Sequence, residues 1–218
     1  MVRLRRSHKL LLVLVWTLLV LYPNPSLLAV TMARSLNPPI DASAVRTISS
    51  ELPDDPAQIE RQVIEKYVPY AYDWTVFSVP WYFPTPAEVL LHGQGDCEAR
   101  AVVLASIFED KQIPYDFTVS PTHIWVKYKG KVENSVESSA AAFVEHKDGV
   151  YRVKLPSEFD LESYVRVEIE SLWGVMPTSR KALLLGGIAF ILVVDFLASL
   201  VVLRLRQRDA VPVALEKR

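Results

Sequence analysis

Two long apolar runs frame the chain, and the pattern between them changes from helical to strand-like. Residues 10–22 are almost uninterrupted apolar side chains, preceded by Arg3, Arg5, Arg6 and Lys9. Residues 182–203 carry one charge, Asp195, and are followed by Arg204, Arg206 and Arg208. About 20 apolar residues at 1.5 Å each cross a bilayer's hydrocarbon core, so 182–203 predicts a transmembrane helix and 204–218 a basic tail. The first run is shorter, and Pro23 and Pro25 interrupt it. Residues 1–33 therefore read in two ways. Extended through 26–32 they make an anchor; cut near Thr31-Met32-Ala33, where small residues lie, they make a signal peptide.

Between the runs, residues 34–54, with Pro38, Pro39 and Pro53, read as a linker. Residues 55–178 then form one domain, long enough for its own core. Asp55-Pro56-Ala57-Gln58 supplies an N-cap, a proline at N1 and a capping-box partner, and Ile59, Val63, Ile64 and Tyr67 give that helix one apolar face. The stretch 70–83 is dense in aromatic rings that fit a core better than a cleft. Thr85-Pro86-Ala87-Glu88 starts a second short helix, stopped by Gly93 and Gly95. Asp96 caps a third, running to about Asp110 and ended by Ile113-Pro114; it is apolar nearly all round and so belongs in the core. From there the period is two, and 115–120, 122–129, 131–136, 142–146, 150–154 and 165–169 read as strands. Helices first and antiparallel strands second predict an α+β domain.

Charge adds topology. With 24 basic and 25 acidic residues, nothing global points to nucleic acid. The basic clusters lie outside both apolar runs, which by the positive-inside rule puts them in the cytoplasm and residues 35–178 on the far side of the cell membrane. Arg180 and Lys181 weaken that asymmetry without reversing it. Asp195 is the odd residue in its span, and an acid there faces a partner helix or water, or stays protonated. A membrane partner protein is one way to satisfy it.

Cys97 is the sole cysteine of 218 residues, so it cannot form an intramolecular disulfide. It stands in Gly95-Asp96-Cys97 at the first turn of the apolar helix, where unpaired N–H groups and the positive dipole end favour a thiolate. His123, in Thr122-His123-Ile124-Trp125-Val126, can add an imidazolium if its strand packs beside that helix end. The Cys97 N–H then doubles as an oxyanion donor. Lys129-Gly130 is the natural two-residue hairpin loop, which makes Trp125 face Asn134 and His123 face Val136. In this register Asn134 shares the His123 face and can fix the imidazole tautomer, Glu133 lies opposite, and Glu137 comes within reach only through a bulge. Asn134 therefore ranks above Glu137 as the third member. Trp125 reads as the residue that packs the hairpin on the helix, Gln94 as a loop amide closing a turn, and His92 and His146, lacking metal-ligand spacing, as ordinary surface or capping residues.

The stretch from Pro84 to Val136 resembles the core of the transglutaminase-like superfamily, the papain-related cysteine fold. The matching pieces are the short helix Pro86-Ala87-Glu88-Val89-Leu90, the start Gly95-Asp96-Cys97, the stop Ile113-Pro114 and the strand His123-Ile124-Trp125-Val126. The family's third position is usually aspartate, where the register here gives asparagine, and the hairpin is shorter than usual. The resemblance implies a membrane-anchored, extracytoplasmic thiol enzyme acting on a peptide or protein through Cys97, His123 and Asn134. Such an enzyme cleaves or transfers amide bonds, and no cofactor is expected because nothing in the sequence resembles a phosphate loop or a metal-ligand set. The alternative is the same fold used without turnover, as a binding or assembly module beside a membrane partner.

Overall fold

The computed structural model describes residues 6–120, 123–132, 137, 142, 144–147, 150–153 and 161–209. The protein is α+β and mostly helical, and its contacts divide it into two compact units, Ser26–Met176 and the two terminal segments Met1–Pro25 and Pro177–Arg218.

The Ser26–Met176 unit is organised around α7 (Cys97–Asp110), capped by the Asp96 carboxylate, which accepts from Ala99 N–H. No position from Ala101 to Phe108 is exposed, so this helix is core on every side, as its all-round apolar sequence predicts. Before it lie α2 (Ser26–Leu36), α3 (Ala42–Glu51), α4 (Pro56–Gln62) with a π-helical continuation at Val63–Tyr67, the single turn α5 (Asp73–Val76) and α6 (Pro86–His92). Asp55 caps α4 through Gln58 N–H. At α6 the full capping box forms: Thr85 Oγ1 accepts from Glu88 N–H, and the Glu88 carboxylate accepts from Thr85 N–H. Gly93 ends α6 in the left-handed conformation at φ 64°. Val45, Leu52, Ile59, Val63, Val89, Phe117 and Val126 close the core around α7.

After α7 come β1 (Tyr115–Val119), β2 (Ile124–Tyr128), β3 (Val144–Lys147) and β4 (Val150–Val153), an antiparallel sheet in the order β2-β1-β3-β4. Ile124, Val126 and Tyr128 of β2 pack towards the core cluster. By the alternation of a strand, Trp125 takes the other side, where it is 3% exposed beside its register partner Thr118. The unit finishes with α8 (Leu161–Glu168) and a π-helical stretch, Ile169–Gly174, whose Leu172 carbonyl accepts from Trp74 Nε1 at 3.0 Å.

Two expectations need correction. Residues 34–54 are not a bare linker, because they hold the end of α2 and all of α3. Asp41 caps α3 through Ser43 and Ala44 N–H, and Val45, Ile48 and Leu52 give it a core-facing stripe that the surrounding prolines obscure. Residues 165–169 are helical rather than extended: Leu161, Val165 and Ile169 recur at helical spacing, and Arg166 meets Glu162 one turn back at 2.7 Å. The same five residues also alternate, so period two was a coincidence of a short window. The described partner of β2 is β1, and the pairing expected across Lys129-Gly130 falls on residues 133–136. The turn itself forms, with Lys131 N–H donating to Tyr128 O at 3.1 Å, but 133–136 lie outside the described residues.

The second unit pairs α1 (Arg6–Leu21) with α9 (Thr178–Asp209). From Thr178 to Val201, α9 is long and apolar enough to cross a membrane.

Candidate active site

The loop before α7 is fixed by its backbone. Gly95 N–H donates to Pro69 O at 3.1 Å and Ala71 N–H to Gly95 O at 3.0 Å. A Cβ at position 95 would fall 2.3 Å from the Ala99 Cβ, so only glycine lets the chain enter the helix here. Cys97 follows as the first helical residue, and among the described residues its N–H has no hydrogen-bond partner. That is the orphan donor a helix start is expected to leave.

His123 stands just before β2 and is held by a reciprocal clamp. Its N–H donates to Ser120 Oγ at 3.0 Å, and its carbonyl accepts from Ser120 N–H at 2.8 Å. The imidazole lies nearly parallel to the Trp125 indole, with ring centroids 6.0 Å apart and an interplanar angle of 18°. Trp125 thus lies beside the imidazole and also borders the cavity that α7 lines. Cys97 and His123 line one cavity of about 60 Å³, together with Arg100 of α7, Glu60, Ile64 and Glu137. A space of that size holds a water or two, not a side chain.

The third position goes differently. Asn134, favoured by the register argument, lies outside the described residues. The described partner of the imidazole is Glu137, whose Oε1 is 3.4 Å from His123 Nε2. Lys131 Nζ meets the other Glu137 oxygen at 3.2 Å and also pairs with Glu60, which accepts from Tyr128 Oη at 2.6 Å. Burial alone would raise the Glu137 carboxyl, but the hydrogen bond to His123 and the charge and hydrogen bond of Lys131 outweigh it and hold the group below its usual range. With Nε2 turned to a carboxylate, Nδ1 is the ring nitrogen left for a reacting group.

Sequence reasoning missed Glu98. Its Oε2 accepts from the Cys97 thiol at 2.8 Å and its Oε1 from Trp81 Nε1 at 3.0 Å, with the residue 8% exposed. The thiol's hydrogen bond therefore goes to Glu98 and not to His123. Cys97 keeps a partly exposed surface, yet dense packing desolvates its sulfur. That burial, then the negative charges of Glu98 and Asp96, push the thiol well above its ordinary range, against a smaller opposing pull from the Ile124 N–H. Asp96 and Asp73 are themselves pushed up, chiefly by burial and then by the Glu98 charge. Asp73, 3% exposed, has one oxygen on Tyr82 N–H at 2.5 Å. Cys97 is thus a neutral thiol with acids on one side and the His123–Glu137–Lys131 chain on the other. One signal for Glu98 was available. A lone acid inside the first turn of a buried helix must find a buried donor.

His92 ends α6 on the surface against the Phe77 ring, and among the described residues no group of His, Cys, Asp and Glu is arranged to hold a metal ion. Comparison with protein-family models, with curated proteins and with solved structures finds no match to this chain.

Proposed function

We propose that the Ser26–Met176 unit is a transglutaminase-like thiol enzyme, held at a membrane by α9 and acting on amide bonds of a peptide or protein on the extracytoplasmic side. In this reading the Cys97 sulfur bonds to the amide carbonyl carbon once His123 Nδ1 has taken the thiol proton. The C–N bond then breaks, the amine leaves with the proton His123 returns, and water or a second amine releases the thioester. The Cys97 N–H receives the developing oxyanion, and Glu137 takes the orienting place on Nε2 that the hairpin register assigns to Asn134. One observation carries the reading: a helix-start cysteine and a carboxylate-bound histidine, far apart in sequence, line the same cavity.

A second reading draws on a different observation. The thiol is bonded to Glu98 and the cavity is small, which suits a binding or assembly module that performs no chemistry. Labelling the intact protein with a peptide-like electrophile at neutral pH separates the two. Rapid, single-site modification of Cys97 that is lost in His123→Ala supports the enzyme. Labelling no faster than that of glutathione, and indifferent to His123→Ala, supports the module.

A further inference from the structure

We propose that α1 stays in the mature protein as a membrane helix, paired antiparallel with α9 and joined to it by an ion pair between Lys9 and Asp195. The contacts fix the direction: Lys9 meets Asp195 Oδ2, Trp16 Nε1 donates to Leu183 O at 3.2 Å, and Arg180 donates to Val20 O at 2.9 Å. Position rises along α1 as it falls along α9. In the middle, the Trp16 ring lies directly on Gly187; a Cβ at 187 would come within 2.1 Å of it. A glycine in a membrane helix opens room for a close neighbour, and here the indole takes that room.

The ion pair accounts for the charge inside the apolar run. Asp195 lies about 20 Å from the start of the 182–203 stretch and about 12 Å from its end at 1.5 Å per residue, farther from either interface than its short side chain reaches. A carboxylate in hydrocarbon is costly unless paired. Lys9, at the edge of the first apolar run, brings the opposite charge, and the Asp195 side chain is 12% exposed. Removal of α1 as a signal peptide would strip that partner away. The contacts therefore favour retention over cleavage, independently of what the globular unit does.

The test uses the full chain in its membrane. With tags at both ends of the natural sequence, the mature protein should keep its N-terminal tag; a mature chain beginning after the first apolar run overturns the proposal. In a Cys97→Ser background, which leaves no other cysteine, Trp16→Cys with Gly187→Cys should form a disulfide on mild oxidation. The yield should be at least about fivefold above that of Leu14→Cys with Val194→Cys, whose native side chains are 64% and 45% exposed. Equal yields overturn the pairing. Adding Lys9→Asp should cut the Trp16–Gly187 cross-link several-fold, and adding Asp195→Lys to that should restore more than half of it. A charge exchange no better than the single change removes the ion pair from the proposal and overturns it.

Discussion

Replacing Glu98 with glutamine should make Cys97 more reactive, although it removes a residue from the site. Glu98 Oε2 is 2.8 Å from the sulfur. At that separation a full negative charge opposes thiolate formation by about 1.5 kcal/mol at the dielectric of water and about 6 at an effective value of 20. The lower end of that range applies, because Cys97 borders solvent. Glu98→Gln should therefore lower the thiol midpoint. About 1.5 to 3 kcal/mol multiplies the thiolate population at pH 7 by about ten to a hundred, while intrinsic nucleophilicity falls with a Brønsted slope near 0.5. The net gain is roughly three- to tenfold faster alkylation at pH 7.

The assay is the rate of iodoacetamide modification against pH for the intact protein, with Cys97→Ser as the blank. It needs no substrate, so it stands apart from the enzymatic reading. The amide oxygen of glutamine can still accept from Trp81 Nε1, which keeps the loop in place. A midpoint that does not move shows that Glu98 is screened from the sulfur. A midpoint that moves up shows that the carboxylate draws the proton off Cys97, and the electrostatic account of the resting thiol fails.

Further outcomes follow from the same geometry. Cys97→Ser and His123→Ala should each abolish amide cleavage or transfer while leaving the far-ultraviolet circular dichroism and melting curve nearly unchanged; turnover in either variant removes the dyad. Asp73→Asn should raise the melting temperature at pH 8 and leave it almost unaltered at pH 4. A carboxyl whose folded-state pKa is raised loses stabilisation as pH climbs from its unfolded value, and the amide can still accept from Tyr82 N–H. Lys131→Met should cost about 3 kcal/mol at neutral pH, since the Lys131 side chain is 6% exposed and its loss leaves Glu60 and Glu137 without their shared cation. The depressed Glu137 contributes stability above its unfolded pKa and loses it as pH falls through the folded one, so denaturant titrations from pH 7 to 3 should be shallower in Lys131→Met. A tag after Arg218 should be unreachable by impermeant reagents in intact cells; labelling from outside would reverse the topology and the side on which the site works.

What was legible in the sequence was whatever a single element decides for itself. Asp96 as a cap, an apolar face all round α7 and the Ile113-Pro114 stop are local signals, and the helix runs Cys97–Asp110 accordingly. The Thr85–Glu88 capping box was equally local. Pairings were harder, because they depend on which of two adjacent turns closes a hairpin. Lys129-Gly130 does turn the chain, but residues 133–136, which a register counted from that turn would pair, lie outside the described residues, and the ladder shown for β2 is the one with β1. α3 was hidden for a related reason: its prolines lie outside the helix, and the core stripe of Val45, Ile48 and Leu52 is sparse enough to pass as loop.

The acid beside the thiol shows why a site can be located from sequence while its state cannot. A helix N-terminus favours a thiolate by a modest amount, typically below 1 kcal/mol near a surface. One carboxylate at 2.8 Å opposes it by more, and burial adds to the opposition. The sign of the balance is set by which neighbour the side chain at 97 turns towards, Glu98 within its own turn or His123 across the cavity. In this structure it turns to Glu98, so the arrangement is that of a resting thiol. For chemistry the Sγ must swing towards His123 Nδ1, and a ligand that fills the small cavity while turning Cys97 away from Glu98 would shift that balance by its differential contacts with the two states. Reactivity that rises when substrate binds, rather than a thiolate standing ready in the free protein, is what this geometry requires of an enzyme built on it.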